Sequence, residues 1–137
     1  MGNTISMPGA TGLTYSTDKG FTVTPLFTSD STGSWNELQT TDFVEDTAQL
    51  NPELGEIERS YVTSVALSRK VGEKEQRIII ISDADCISNT EIEMMRRGIN
   101  ARNYSFVRGA FSWLSYEEAP IDVRRLIPPD NEVYIEK

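Results

Sequence analysis

The 137-residue chain contains no histidine. That absence removes Ser-His-Asp and Cys-His nucleophile systems, His-ligated zinc and the commonest general base. A single cysteine, Cys86, excludes an internal disulfide and a Cys-rich zinc site, and it leaves the redox compartment open. The adjacent Asp85 predicts a thiol held above its ordinary pKa, so Cys86 reads as a small packed side chain and not as a nucleophile. Positive charge is scarce: 13 Lys and Arg stand against 21 Asp and Glu, a net charge of −8. A nucleic-acid phosphate backbone or an anionic membrane surface rewards the opposite balance. No apolar run reaches the ~20 residues that span a bilayer, and no charged-then-apolar secretion signal opens the chain. A Walker phosphate loop and internal repeats are also missing.

What remains suits one globular domain, with 38% hydrophobic and 25% charged residues. Residues 1–28 read as N-terminal strands. Leu13–Tyr15 suggests a short one, and Phe21, Val23 and Leu26 alternate with threonines in a second. Pro25 has no N–H for a ladder, which puts that strand at a sheet edge or at its end. Residues 29–58 form a long acidic loop, in which Trp35 and Leu38 suggest a short helical turn. Asp42–Glu58 carries six acidic residues and no basic one. A loop of that length points to a functional, mobile or crossing segment.

Residues 59–127 read as the α/β core. Tyr61, Val62, Val65 and Leu67 predict a strand, Gly72–Glu75 a charged turn, and Arg77–Ser82 a central strand. The four isoleucines at 78–81 suit a sheet covered on both faces, with parallel neighbours. Ser88 and Glu91 have capping-box spacing, with Ile92 and Met95 on one face, Arg96 and Arg97 in the last turn, and Gly98 as the left-handed cap. A second helix is predicted from Asn103 or Tyr104 to Leu114, with Phe106, Ala110, Trp113 and Leu114 facing inward and Val107 and Phe111 beside them. Ile121–Leu126 and Val133–Ile135 suggest strands around the break at Pro128-Pro129, residues 128–137 forming a C-terminal segment. Arg124-Arg125 reads as a solvated pair. The expected architecture is α/β, with a small, partly parallel sheet flanked by helices. Two short modification patterns are present: MGNTIS fits myristoylation, and Asn103-Tyr104-Ser105 is a glycosylation sequon whose place at a helix start suits a glycan poorly.

The candidate site is the loop after the isoleucines, with Asp83, Asp85 and Asn89 at the strand end where open α/β sheets bind ligands. Two readings compete. Paired carboxylates hold Mg²⁺ in phosphotransferases of the haloacid-dehalogenase type, which follow an apolar strand with Asp-x-Asp. Here Ile87 replaces the Thr or Val of that pattern, and Lys137 is the sole lysine after the motif, so the catalytic partners are missing. Alternatively the aspartates accept backbone N–H groups and fix the turn into the next helix.

YVTSVALSRKVGEKEQRIIIISDADCISNTE resembles the core of gliding-motility-type (GldG-like) auxiliary subunits of ABC transporters, through Val65, Ala66, Arg69, Glu75, Gln76, Arg77, Asp83, Asp85, Ser88 and Asn89. MPGATGLTY, FTVTPLFTSDSTGSW and AFSWLSYEEAPIDVR extend the likeness over most of residues 7–127. Ser82 and Cys86 depart from the family's frequent Gly and aromatic residues. The resemblance implies an incomplete flavodoxin-like or class I glutamine amidotransferase-like three-layer fold. It also implies a non-catalytic interaction or ligand-sensing role at the periplasmic face of the bacterial inner membrane, with no catalytic residue, cofactor or bound metal of its own. The implied partners are the transmembrane and ATPase subunits of an ABC-2-type transporter, with cargo or an envelope protein and no nucleic acid. On this view the chain is a soluble piece of a membrane-anchored parent. The competing expectation is a metal-dependent phosphohydrolase centred on Asp83 and Asp85.

Overall fold

The computed structural model describes residues 4–38, 49–93 and 100–117. Three strands, β1 (Thr22–Thr28), β2 (Val62–Val71) and β3 (Lys74–Ile81), form an antiparallel sheet in the order β1-β2-β3. Two helices follow, α1 (Asn89–Glu93) and α2 (Asn103–Leu114), with single 3₁₀ turns at Pro52–Leu54 and Asp85–Ile87.

The expected partly parallel, three-layer α/β architecture is therefore corrected, because every described strand pairing is antiparallel. The reason is local. Val71 pairs with Lys74 across the two-residue connection Gly72-Glu73, and Gly72 has a φ of 62°. A two-residue turn with glycine first at positive φ reverses the chain, whereas a parallel neighbour needs a crossover of a dozen residues or more. Among the described residues the middle strand is β2, and the isoleucine run lies on an edge strand. Ile80 is 44% exposed, so this run is not covered on both faces.

Among the described residues β1 pairs only with β2, which puts Pro25 on an edge strand, and the register shifts on either side of Phe27. The segment Leu13–Tyr15 forms no strand, although the Leu13 N–H donates to the Val62 carbonyl at 2.7 Å. Trp35 enters an isolated bridge with Glu58 in place of the expected helical turn, and Leu38 is exposed.

The register puts Phe27, Ala66, Ile79 and Arg77 on one face of the sheet, and α2 packs there. Phe27 and Phe106 meet edge to face at 4.9 Å. Arg77 grips the far end of the helix. Its guanidinium lies 2.6 Å from the Glu75 carboxylate, donates to the Trp113 carbonyl at 2.7 Å, and stacks against the rings of Trp113 and Tyr116. A cation at a helix C-terminus meets the negative end of the dipole. The Tyr116 hydroxyl returns to the Glu75 carbonyl, and Tyr116 and Glu117 end the helix in left-handed conformation at φ 59° and 61°.

The second helix starts and stops within the predicted bounds. Phe106, Val107, Ala110 and Trp113 are half-buried, while Phe111 and Leu114 are exposed, against the expectation for both. The predicted cap of α1 is present: the Glu91 N–H points to Ser88 Oγ at 3.4 Å. The expected roles of Met95–Gly98, the strands after residue 120, the C-terminal segment 128–137, Arg124-Arg125 and most of the acidic run at 42–48 lie outside the described residues.

Candidate functional site

The three expected site residues occupy different environments. Asp83 is buried at 5% exposure, Asp85 is exposed at the start of its 3₁₀ turn, and Asn89 is exposed at the first position of α1. Each oxygen of the Asp83 carboxylate accepts a backbone N–H. Oδ1 takes that of Asp85 at 2.9 Å, and Oδ2 takes that of Gly9 at 3.1 Å. The first bond tightens the turn leaving β3. The second reaches a segment 74 residues earlier in the chain. Gly9 runs so close that a Cβ built on it would stand 3.6 Å from Asp83 Oδ1. Among the described residues, no three Asp, Glu, Cys or His side chains converge on one point as metal ligands.

Around Asp83 the structure gathers residues that sequence reasoning did not connect. Asn103 is 1% exposed, and its carboxamide is fully engaged. Its Oδ1 accepts the Ser6 N–H at 3.0 Å, and its Nδ2 donates to the carbonyls of Ser6 and Cys86, both at 2.8 Å. The one side chain thus reads both polar groups of Ser6 and anchors itself to the Asp85–Ile87 turn. A glycan on this buried nitrogen would replace one of its two donor hydrogens and would have no room, so the sequon is not usable in the folded chain.

The same N-terminal segment makes three more attachments. The Arg102 N–H donates to Thr4 carbonyl at 2.9 Å, Thr4 bridging Ala101 in parallel. The Thr11 N–H donates to Ser82 Oγ at 3.2 Å, and Leu13 joins β2 as described above. Residues 4–13 are thus laid across the strand ends and the start of α2.

Cys86 is fully buried in this cluster. Burial pushes its thiol pKa up, and the negative charges of Asp83, Asp85 and Glu91 add to the effect. A thiol held in its protonated form is a poor nucleophile, in agreement with the packed role read from the sequence.

The acidic loop contains a second buried carboxylate, which sequence reasoning missed. Glu56 is 4% exposed, and it accepts the N–H of Leu38 at 3.0 Å and that of Asn51 at 2.6 Å. These donors stand on either side of residues 39–48, so one side chain ties the two flanks of the loop together. Neighbouring bonds reinforce the tie: the Gly33 N–H donates to Glu58 at 2.5 Å, the Ile57 N–H to Asn36 Oδ1 at 2.8 Å, and the Arg59 N–H to the Ser34 carbonyl at 2.9 Å. Only the carboxylate's place three residues after Glu53, behind the turn at Gly55, hinted at this role.

Chemically, the arrangement immobilises backbone. Buried Asp83 holds a main-chain donor on each oxygen, the acid two residues on faces solvent, and the thiol keeps its proton. No family model, curated protein or solved structure matches the chain.

Proposed function

We propose that the chain is a non-enzymatic interaction domain. The use of both Asp83 oxygens as acceptors for backbone N–H groups carries this reading. A carboxylate that staples two segments has a structural role sufficient to explain its burial. The acidic composition of residues 42–58, whose described flanks Glu56 ties together, supports the same view. Negative charge concentrated in one segment suits a basic partner and speeds encounter with it.

The motif order adds a setting by resemblance alone. It is the extracytoplasmic part of a bacterial ABC-2-type transporter subunit, acting beside transmembrane and ATPase subunits. The three-layer fold that came with that resemblance is not the one observed, so the setting rests on the motifs and not on architecture.

Two experiments separate these statements. Calorimetric titration of the chain with Mg²⁺, Mn²⁺ and Ca²⁺, together with a phosphate-ester hydrolysis assay, is expected to give neither saturable heat nor turnover. Mg²⁺-dependent hydrolysis lost in an Asp83→Ala, Asp85→Ala variant would sink the non-catalytic reading in favour of a phosphohydrolase. Purification from solubilised envelope should recover the transporter subunits. Their absence would remove the setting and leave the non-catalytic reading standing.

A further inference from the structure

The attachment of residues 4–13 differs in kind from the rest of the fold. None of these residues is fully buried, Ile5, Met7 and Leu13 being half-buried, and their described hydrogen bonds to the body all use main-chain groups, those of Thr4, Ser6, Gly9, Thr11 and Leu13. The receiving groups are the reverse. Asn103 and Asp83 are buried, and each is also held by the Asp85–Ile87 turn, Asn103 through the Cys86 carbonyl and Asp83 through the Asp85 N–H. The seat is therefore preformed, and vacating it would strand buried polar groups without partners. Its hydrogen bonds recognise a backbone, and a second copy offers the same backbone with the same side chains.

The connection to the sheet completes the argument. Residues 14–20 are all exposed, and the described contacts of Ser16, Asp18 and Lys19 are with one another. This is a hinge with no described anchor of its own. We propose that two copies of the chain exchange residues 4–13, each segment filling the Ser82–Asp83–Asn103 seat of the other copy. This assembly does not depend on the transporter setting. Exchange preserves every bond in the seat, so the balance is set by concentration against the effective concentration of the tethered segment, on the order of millimolar for a short flexible link. Dilute chain stays monomeric, and concentrated chain swaps.

The hinge length gives a decisive variant. Leu13 is bound at Val62, and β1 begins at Thr22 opposite Ser68. Six residues of β2 separate those points, roughly 20 Å at a strand's rise. Nine peptide steps join Leu13 to Thr22, enough reach at full extension. Deleting residues 16–20 leaves four steps, about 14 Å at most, too short for a segment to reach its own seat.

The deletion variant is expected to double its mass in light scattering while keeping the Ser6, Gly9 and Thr11 amides protected from hydrogen exchange. An excess of a synthetic peptide with the sequence of residues 4–13 should return it to monomer, and the same peptide carrying proline in place of Gly9 should be at least about tenfold weaker, since it lacks the N–H given to Asp83. A monomeric variant with unprotected amides, or a dimer that neither peptide disturbs, would overturn the proposal. A second measurement covers a variant that does not fold. In the full chain, the amides of Ser6, Gly9 and Thr11 should exchange about a hundredfold faster than those of Val65 and Leu67, reporting release of the segment alone. Equal rates would mean that the segment leaves only on global unfolding, and exchange between copies would then have no route.

Discussion

The β2–β3 hairpin and the segments wrapped around it are held by different forces. The hairpin follows from adjacent residues: a glycine turn, continuous register from Val71–Lys74 to Ser64–Ile81, and β-branched side chains that favour strands. The wrapping segments at residues 4–13, 29–38 and 49–58 have no such local cause. They are fastened by a few side chains that accept or donate to distant backbone, chiefly Asp83, Asn103 and Glu56. Among the described residues, the buried apolar side chains are only Val65, Ala66 and Cys86, while Glu56, Thr63, Ser64, Asp83, Glu91 and Asn103 are buried and polar. Where little apolar surface is removed from water, order depends on polar groups that are costly to leave unpaired. The hairpin should tolerate conservative change, and the staples should not.

The sharpest way to break this comparison is Asn103→Ala. It removes the contacts to both polar groups of Ser6 and to the Cys86 carbonyl, and a loss of about 3 kcal/mol is expected in urea unfolding. A loss no greater than that of an exposed substitution would show that the wrap is held by something else. Next comes the pair of aspartates. Asp83→Ala should cost about 2 kcal/mol, whereas Asp85→Ala, on an exposed side chain, should stay within about 0.5 kcal/mol. Equal costs would erase the distinction between staple and surface acid.

Arg77→Lys tests the junction between sheet and helix. Lysine keeps the charge and loses the planar fork that serves Glu75, Trp113 and Tyr116 together, so thermal unfolding should show a loss of about 1 kcal/mol. Two smaller effects sharpen the picture of the polar core. The Ser64 hydroxyl is fully buried and has no hydrogen-bond partner among the described residues, so Ser64→Ala should raise stability by a few tenths to about 1 kcal/mol. Cys86 gives a pH signature. Its folded thiol holds its proton more tightly than the unfolded one, so the unfolded chain ionises first as pH rises. Stability should be unaffected below the ordinary thiol range and should fall as pH passes through it, until the folded thiol ionises too. Cys86→Ala should flatten that slope.

Legibility in the sequence followed the same division. The strand containing Pro25, the charged turn at residues 72–75, the capped start at Ser88 and the extent of α2 were readable because each is written in neighbouring residues. The direction of pairing was misread because an unbroken isoleucine run signals strand but not neighbour. The glycine turn before it was the better guide to orientation. The packed state of Cys86 was also visible, through the acid beside it.

Composition and local pattern by themselves placed the three described strands and the long helix, together with an acidic composition without histidine chemistry and an aspartate pair at a strand end, while also suggesting a strand at Leu13–Tyr15 that does not form. Tertiary structure alone decided that Asp83 would meet Gly9, that Asn103 would receive Ser6, and that Glu56 would tie Leu38 to Asn51. Hydrogen bonds across such separations leave no periodic trace, because the donors are main-chain N–H groups that nearly every residue carries. Only the fold selects which of them a buried side chain will hold.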